Sequence, residues 1–109
     1  MEAVLRALAD ESRRTVVETL AGGPATAGEL AALLPIARPG VSRHLRVLRE
    51  AGLVEVRPDG RRRVYRVRAE PLMELDEWLE PYRVLWRVSL GKLERHLSDA
   101  QPTSKRTRS

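Results

Sequence analysis

The chain has 109 residues and a mass of 12.3 kDa, room for one domain of ordinary size with a modest core. Its formal charge of +5 comes from 20 basic residues, 18 of them arginine, against 15 acidic ones, a balance that favours a polyanion because guanidinium forks match phosphate oxygens and purine edges. There is no cysteine, which excludes disulfides, thiolate metal sites and cysteine nucleophiles, and no apolar run approaches the roughly 18 residues of a membrane span, so a cytoplasmic protein is expected.

The charge is segregated. Residues 1–37 and 69–98 each carry −2, residues 99–109 carry +2, and residues 38–68 carry +7 from ten arginines against Glu50, Glu55 and Asp59. A solvated face is the ordinary explanation of a charge run. Here the excess falls on one block of secondary structure, which gives it meaning.

In chain order, Val4, Leu5, Leu8 and Ala9 predict a first helix over residues 2–9. Asp10 reads as the N-cap of a second helix from Glu11 to about Ala21, with Val16, Val17 and Leu20 buried and Gly22-Gly23-Pro24 ending it. Thr26 and Glu29 form a capping box opening a third helix, Ala27 to Leu34, whose apolar face is Leu30, Leu33 and Leu34. Pro39 suits the first position of a fourth helix over residues 39–51, in which Val41, Leu45 and Leu48, with Val47, form the buried stripe. Arg38, Ser42, Arg43, Arg46 and Arg49 lie off that stripe, and Gly52 closes the helix.

The period then changes from 3.6 to 2. Leu53–Arg57 and Arg62–Arg68 alternate as strands around Pro58-Asp59-Gly60-Arg61. With Asp59-Gly60 as a two-residue loop, Val54 pairs with Tyr65, and Val56 and Val67 share its face. That register sets Arg63 among apolar residues, so either its stem snorkels or the loop is longer. From Pro71 to Leu97 a helical stripe returns through Leu72, Leu75, Leu79, Tyr82, Trp86, Ser89, Leu93 and Leu97, widened by Trp78, Leu85 and Leu90. Pro81 predicts a kink or break near Glu80. Residues 1–98 are expected to form the domain and residues 99–109 a disordered basic tail.

The fold class that follows is mainly α with a small β-hairpin: four helices, a hairpin, then a long helix. A capped supporting helix, a short turn, an arginine-bearing amphipathic helix and a hairpin with an arginine tip have the layout of a winged helix-turn-helix. A major groove admits one helix whose first turns reach base edges. Candidate DNA-contacting residues are Thr26, Arg38, Gly40, Ser42, Arg43, His44 and Arg46, with the wing at residues 57–63 contributing Arg61, Arg62 and Arg63 along the backbone or in a narrow minor groove.

Four segments resemble the ArsR family of bacterial transcriptional repressors: residues 5–14 (LRALADESRR), residues 28–31 (GELA), residues 41–54 (VSRHLRVLREAGLV) and residues 60–65 (GRRRVY). The resemblance covers residues 3–97. It implies a homodimer built from the first and last helices, presenting two recognition helices to a palindromic operator in double-stranded DNA. Those helices supply Leu5, Leu8, Leu75, Trp78, Leu79, Tyr82, Trp86 and Leu93 as candidate dimer contacts.

Two departures stand out. Arg43 replaces the glutamine of many relatives, shifting base preference from adenine toward guanine. Metal sensors of the family bind through cysteines on the supporting helix or through Asp and His on the last helix. Here the supporting helix reads GELAALL, and Asp76 and His96 stand about 30 Å apart along one helix, so no metal and no cofactor are expected. Trp78, Tyr82 and Trp86 fit dimer core better than a ligand cavity, although a small-molecule or protein effector retains a place. Glu77 and Glu80 have no nucleophile or base beside them, so no enzyme is expected. The other readings of the same fold are a protein-interaction adaptor and a non-specific chromosome-binding protein.

Overall fold

The computed structural model describes the backbone of residues 1–100 and the side chains of residues 1–97. Its elements are α1 (Glu2–Leu8), α2 (Glu11–Ala21), β1 (Ala25–Thr26), α3 (Ala27–Leu33), α4 (Arg38–Glu50), β2 (Val54–Asp59), β3 (Arg62–Val67) and α5 (Ala69–Ala100). The chain divides into two compact units, residues 1–75 and residues 76 onward.

Helix boundaries follow the local chemistry. The Asp10 carboxylate accepts the Arg13 backbone N–H at 3.1 Å and starts α2. Thr26 and Glu29 close their capping box in both directions: the Glu29 N–H donates to Thr26 Oγ1 at 3.1 Å and the Thr26 N–H donates to Glu29 Oε1 at 2.8 Å. At the end of α4, Gly52 adopts φ +80, which lets its N–H reach the Arg49 carbonyl and the Leu53 N–H reach the Leu48 carbonyl. Those two bonds, with Leu53 buried against Leu48, make a Schellman stop.

The first unit packs α1–α4 and the sheet around Val4, Ala7, Val16, Val17, Leu20, Leu30, Leu34, Val41, Leu45, Leu48, Leu53, Val54 and Tyr65. Leu33, expected on the apolar face of α3, is instead 55% exposed. Its neighbour Leu34 turns inward from the extended backbone that follows the helix.

The sheet has three antiparallel strands in the order β1-β3-β2, one more than the expected hairpin, because Ala25 and Thr26 pair with Tyr65 and Val64. The hairpin register also differs from expectation: Val54 faces Val67 and Val56 faces Tyr65, around a Gly60-Arg61 loop. Gly60 has φ +65 and among the described residues no other residue type has positive φ, so the glycine occupies the first loop position, as in a type II′ turn. An Asp59-Gly60 loop of type I′ would require positive φ at the aspartate as well. The shift moves the pairing by two residues and leaves each strand's faces unchanged. Arg63 now opposes Pro58 beyond the end of the core, where it is exposed without any need to snorkel.

α5 starts two residues earlier than expected and places Pro71 in its first turn, where the missing N–H costs nothing. It continues through Pro81, which excludes the break but not the kink among the two expected outcomes. Beside the proline, the Arg83 guanidinium donates to the Asp76 carbonyl at 2.7 Å, to the Asp76 carboxylate and to Glu80 Oε1 at 2.7 Å. These bonds brace the turn in which Pro81 lacks its own donor. The helix extends to Ala100, and residues 101–109 of the expected tail lie outside the described residues.

Candidate nucleic-acid interface

Burial of Val41, Leu45 and Leu48 fixes the roll of α4 and turns Ser42, Arg43, Arg46 and Arg49 to solvent. β3 packs against α3. A groove of about 310 Å³ results, lined by Ala27, Ser42, Leu45, Arg46, Arg49, Arg63 and Tyr65. Arg63 also lines a second groove, of about 370 Å³, with Thr26, Ala27, Gly28, Arg61 and Arg62. Arg38 reaches the same edge: a Cβ added at Gly28 would meet both Arg38 Nη2 and Thr26 Oγ1 at 3.9 Å. Residues from the supporting helix, the recognition helix and the wing therefore share one basic surface.

The arginines on this surface are largely unneutralised. Arg62 is 3.4 Å from Asp59 and Arg57 is 3.7 Å from Glu55, both exposed pairs. Among the described residues, Arg38, Arg43, Arg46, Arg49, Arg61 and Arg63 have no carboxylate within 4.0 Å. Glu29, at the edge of the second groove, is held below its usual carboxyl range by the Thr26 backbone N–H and hydroxyl, with Arg62 adding to the effect. A wider groove of about 530 Å³ between α4 and β2 is lined by Arg46, Arg49, Glu50, Val54, Glu55 and Val56. Its two carboxylates oppose a polyanion, so the smaller grooves are the better phosphate surface.

The remaining candidates are placed as follows. Gly40 lies in the first turn of α4, where an added Cβ would meet Ile36 Cδ1 at 3.4 Å, so the glycine makes room for Ile36 within the fold. His44 does not join the exposed arginines: Arg13 Nη1 donates to its Nδ1 at 3.2 Å, and its Nε2 is 3.8 Å from Asp10 Oδ2. Arg49, Gly28 and Tyr65 line the grooves and were absent from the sequence-based set. The signal for Arg49 was present in its spacing, seven residues after Ser42 and three after Arg46. On α5, Trp78 and Tyr82 stack obliquely with ring centroids 5.0 Å apart, and both are exposed along with Trp86 and Leu93. Leu5 on α1 is exposed too, whereas Leu8, Leu75 and Leu79 are half-buried. Among the described residues no group of three or more His, Asp or Glu side chains gathers to hold a metal, and no helix is long and apolar enough to cross a membrane.

A capped supporting helix, an amphipathic arginine helix and a basic hairpin on one surface define a winged helix-turn-helix protein. Residues 8–57 match the helix-turn-helix domain model. The chain is 58% identical over 62 residues to the HTH-type transcriptional regulator Rv2034 of Mycobacterium tuberculosis, a match covering 57% of this chain and 58% of that protein. It is 30% identical over 79 residues to the transcriptional repressor SdpR of Bacillus subtilis, covering 72% of this chain and 88% of SdpR. Among solved structures, the ArsR family transcriptional regulator RHA00566 superposes with a TM-score of 0.72 at 34% identity, covering 79% of this chain and 94% of that one. The chain belongs to the ArsR family of helix-turn-helix transcriptional regulators.

Proposed function

We propose that this protein is a homodimeric repressor that binds a palindromic operator in double-stranded DNA, α4 entering the major groove and the wing at residues 57–63 lying on the backbone or in the minor groove. The observation that carries this reading is the convergence of Ser42, Arg46, Arg49 and Arg63 on one groove, continuous with Arg61, Arg62, Thr26 and Arg38. Arg43, exposed one residue beyond Ser42, is placed to read guanine through two parallel hydrogen bonds, while Thr26, Arg38, Arg61, Arg62 and Arg63 hold phosphates. The exposed apolar faces of α1 (Leu5) and α5 (Trp78, Tyr82, Trp86, Leu93) support self-association, with Leu8, Leu75 and Leu79 flanking them. That SdpR is named a repressor supports repression as the outcome. Such a regulator works in the cytoplasm, where its DNA lies.

Selecting duplexes from a random pool with the purified protein, then measuring their affinity by fluorescence anisotropy, tests this directly. The selected site should be a palindrome and should outcompete random duplex by orders of magnitude. Replacing Arg43 and Arg46 together by alanine should abolish that preference while sedimentation still reports a dimer. Full retention of affinity by this variant overturns the reading, and equal affinity for selected and random duplexes replaces it with general chromosome binding.

A further inference from the structure

On α4, His44 turns inward, away from the basic groove. His44 is half-buried, its side chain only 19% exposed, with Nδ1 hydrogen-bonded inside the protein and Nε2 3.8 Å from the Asp10 carboxylate. A guanidinium can only donate, so the bond from Arg13 Nη1 makes Nδ1 an acceptor and leaves the proton of the neutral ring on Nε2. That nitrogen faces the Asp10 carboxylate, the N-cap of α2. The same carboxylate is held as an anion, its pKa lowered chiefly by the Arg13 backbone N–H.

Arg13 does more than hold the ring. Its Nε donates to the Ala7 carbonyl at 2.7 Å and its Nη2 to the Arg6 carbonyl at 3.2 Å, both in the last turn of α1, where the Arg6 carbonyl also accepts the Ala9 N–H. One guanidinium thus ties the end of α1 and the start of α2 to the middle of α4. His44 is the only attachment of α4 in this cluster, and it lies one residue after Arg43 and two before Arg46. His44 therefore adds a polar tether, close to those arginines, to the apolar packing of Val41, Leu45 and Leu48 that sets the roll of the helix.

We propose that His44 is a positioning residue for DNA recognition: through Arg13 and Asp10 it holds α4 in the orientation that its apolar stripe selects, and it does not itself touch DNA. This rests on the reading of α4 as the recognition helix. The two roles differ in what they do to specificity. A base reader contributes at one position of the site, whereas a residue that orients the whole helix lowers affinity for all sites and leaves their ranking alone.

Two measurements on the full chain test it. Nitrogen-15 NMR of the imidazoles should show His44 as the Nε2–H tautomer with a hydrogen-bonded Nδ1; an Nδ1–H tautomer sets donor against donor at Arg13 and overturns the proposal. Affinities of His44→Ala, His44→Asn and His44→Gln should then be measured on a selected operator and its single-base variants. The Asn amide oxygen sits near the position of Nδ1 and accepts from Arg13, whereas the Gln amide mimics Nε2. His44→Ala should lose about tenfold in affinity on every duplex, the loss expected for one hydrogen bond to a charged group, with the ranking unchanged. His44→Asn should recover most of that loss and His44→Gln little of it. A change of base preference confined to one position, or wild-type affinity in His44→Ala, overturns the proposal while leaving the DNA-binding reading intact. A wild-type chain that shows the expected tautomer but binds no duplex overturns the DNA-binding reading, and this proposal with it.

Discussion

The first 75 residues and the helix beyond them use apolar side chains in opposite ways. In the first unit, Leu30, Leu48 and Leu53 are 0% exposed, and short helices capped by their own side chains bring the apolar stripes together. From Asp76 onward the apolar residues lie on a single helix, and Trp78, Tyr82, Leu85, Trp86, Leu90 and Leu93 stand between 42% and 58% exposed. One helix has no second element of its own unit on which to close such a stripe. The first unit therefore closes its own core, while in the proposed homodimer the aromatic helix gains burial by association, which would make its stability depend on concentration.

Removing a core side chain is the strongest way to break that contrast. Leu48→Ala deletes atoms from a site with no exposure and should cost about 2–5 kcal/mol, read from chemical denaturation followed by circular dichroism. Trp86→Ala should instead shift the monomer–dimer balance in sedimentation and weaken the dependence of the melting temperature on protein concentration. If Leu48→Ala altered association and Trp86→Ala did not, the two units would have been assigned opposite roles.

The next effect concerns the surface that the first unit displays. Arg46→Ala combined with Arg63→Ala removes two exposed cations from one groove, so the fold should be unaffected within about 0.5 kcal/mol. The slope of log affinity against log salt should become shallower by roughly 2, about 0.9 for each phosphate that is no longer neutralised. An unchanged slope would mean that Arg46 and Arg63 do not touch phosphates.

The contrast between the units also explains what could be read in advance. Helices α1–α4 were legible because Val16, Val17, Leu20, Val41, Leu45 and Leu48 keep helical spacing, and because Asp10, Thr26 with Glu29, and Gly52 punctuate them. β1 was not legible, since two residues cannot display a period and their pairing partners lie some forty residues further on. The hairpin register was misread because Asp-Gly signals a loop without fixing which of its residues comes first; the φ of Gly60 decides it. Of the kink or break expected at Pro81 the break does not occur, and Arg83, whose side chain bonds back to Asp76 and Glu80, supports the helix there. His44 drew attention as a member of the basic helix, yet it stands three residues after Val41 and four before Leu48, on the flank of the buried stripe. That spacing was the available sign that it turns inward.

A smaller effect comes from the hydroxyl that starts α3. Thr26→Ala removes the acceptor for the Glu29 N–H and should cost about 1 kcal/mol. Because Thr26 also lines the wing groove, DNA affinity should fall with it, and Thr26→Ser should restore both. Recovery of stability without recovery of affinity would show that the threonine methyl group matters to the DNA surface.

The smallest expected effect is that of pH on the cap of α2. In the folded chain the Asp10 carboxyl is lowered from 3.8, first by the Arg13 backbone N–H, with the Arg13 guanidinium adding to the effect. A folded-state pKa below the unfolded one contributes stability that is fully present above the unfolded value and is lost as pH falls through the folded value. Acid should therefore remove this contribution only below about pH 4, and neutral conditions should leave it whole. Asp10→Asn tests the charge alone, because an amide oxygen still accepts the Arg13 N–H. Wild type should melt above Asp10→Asn at neutral pH, and the gap should narrow as pH falls below about 4. A gap that stays constant over that range would mean that the cap works through its hydrogen bond and that its charge adds nothing to the first unit.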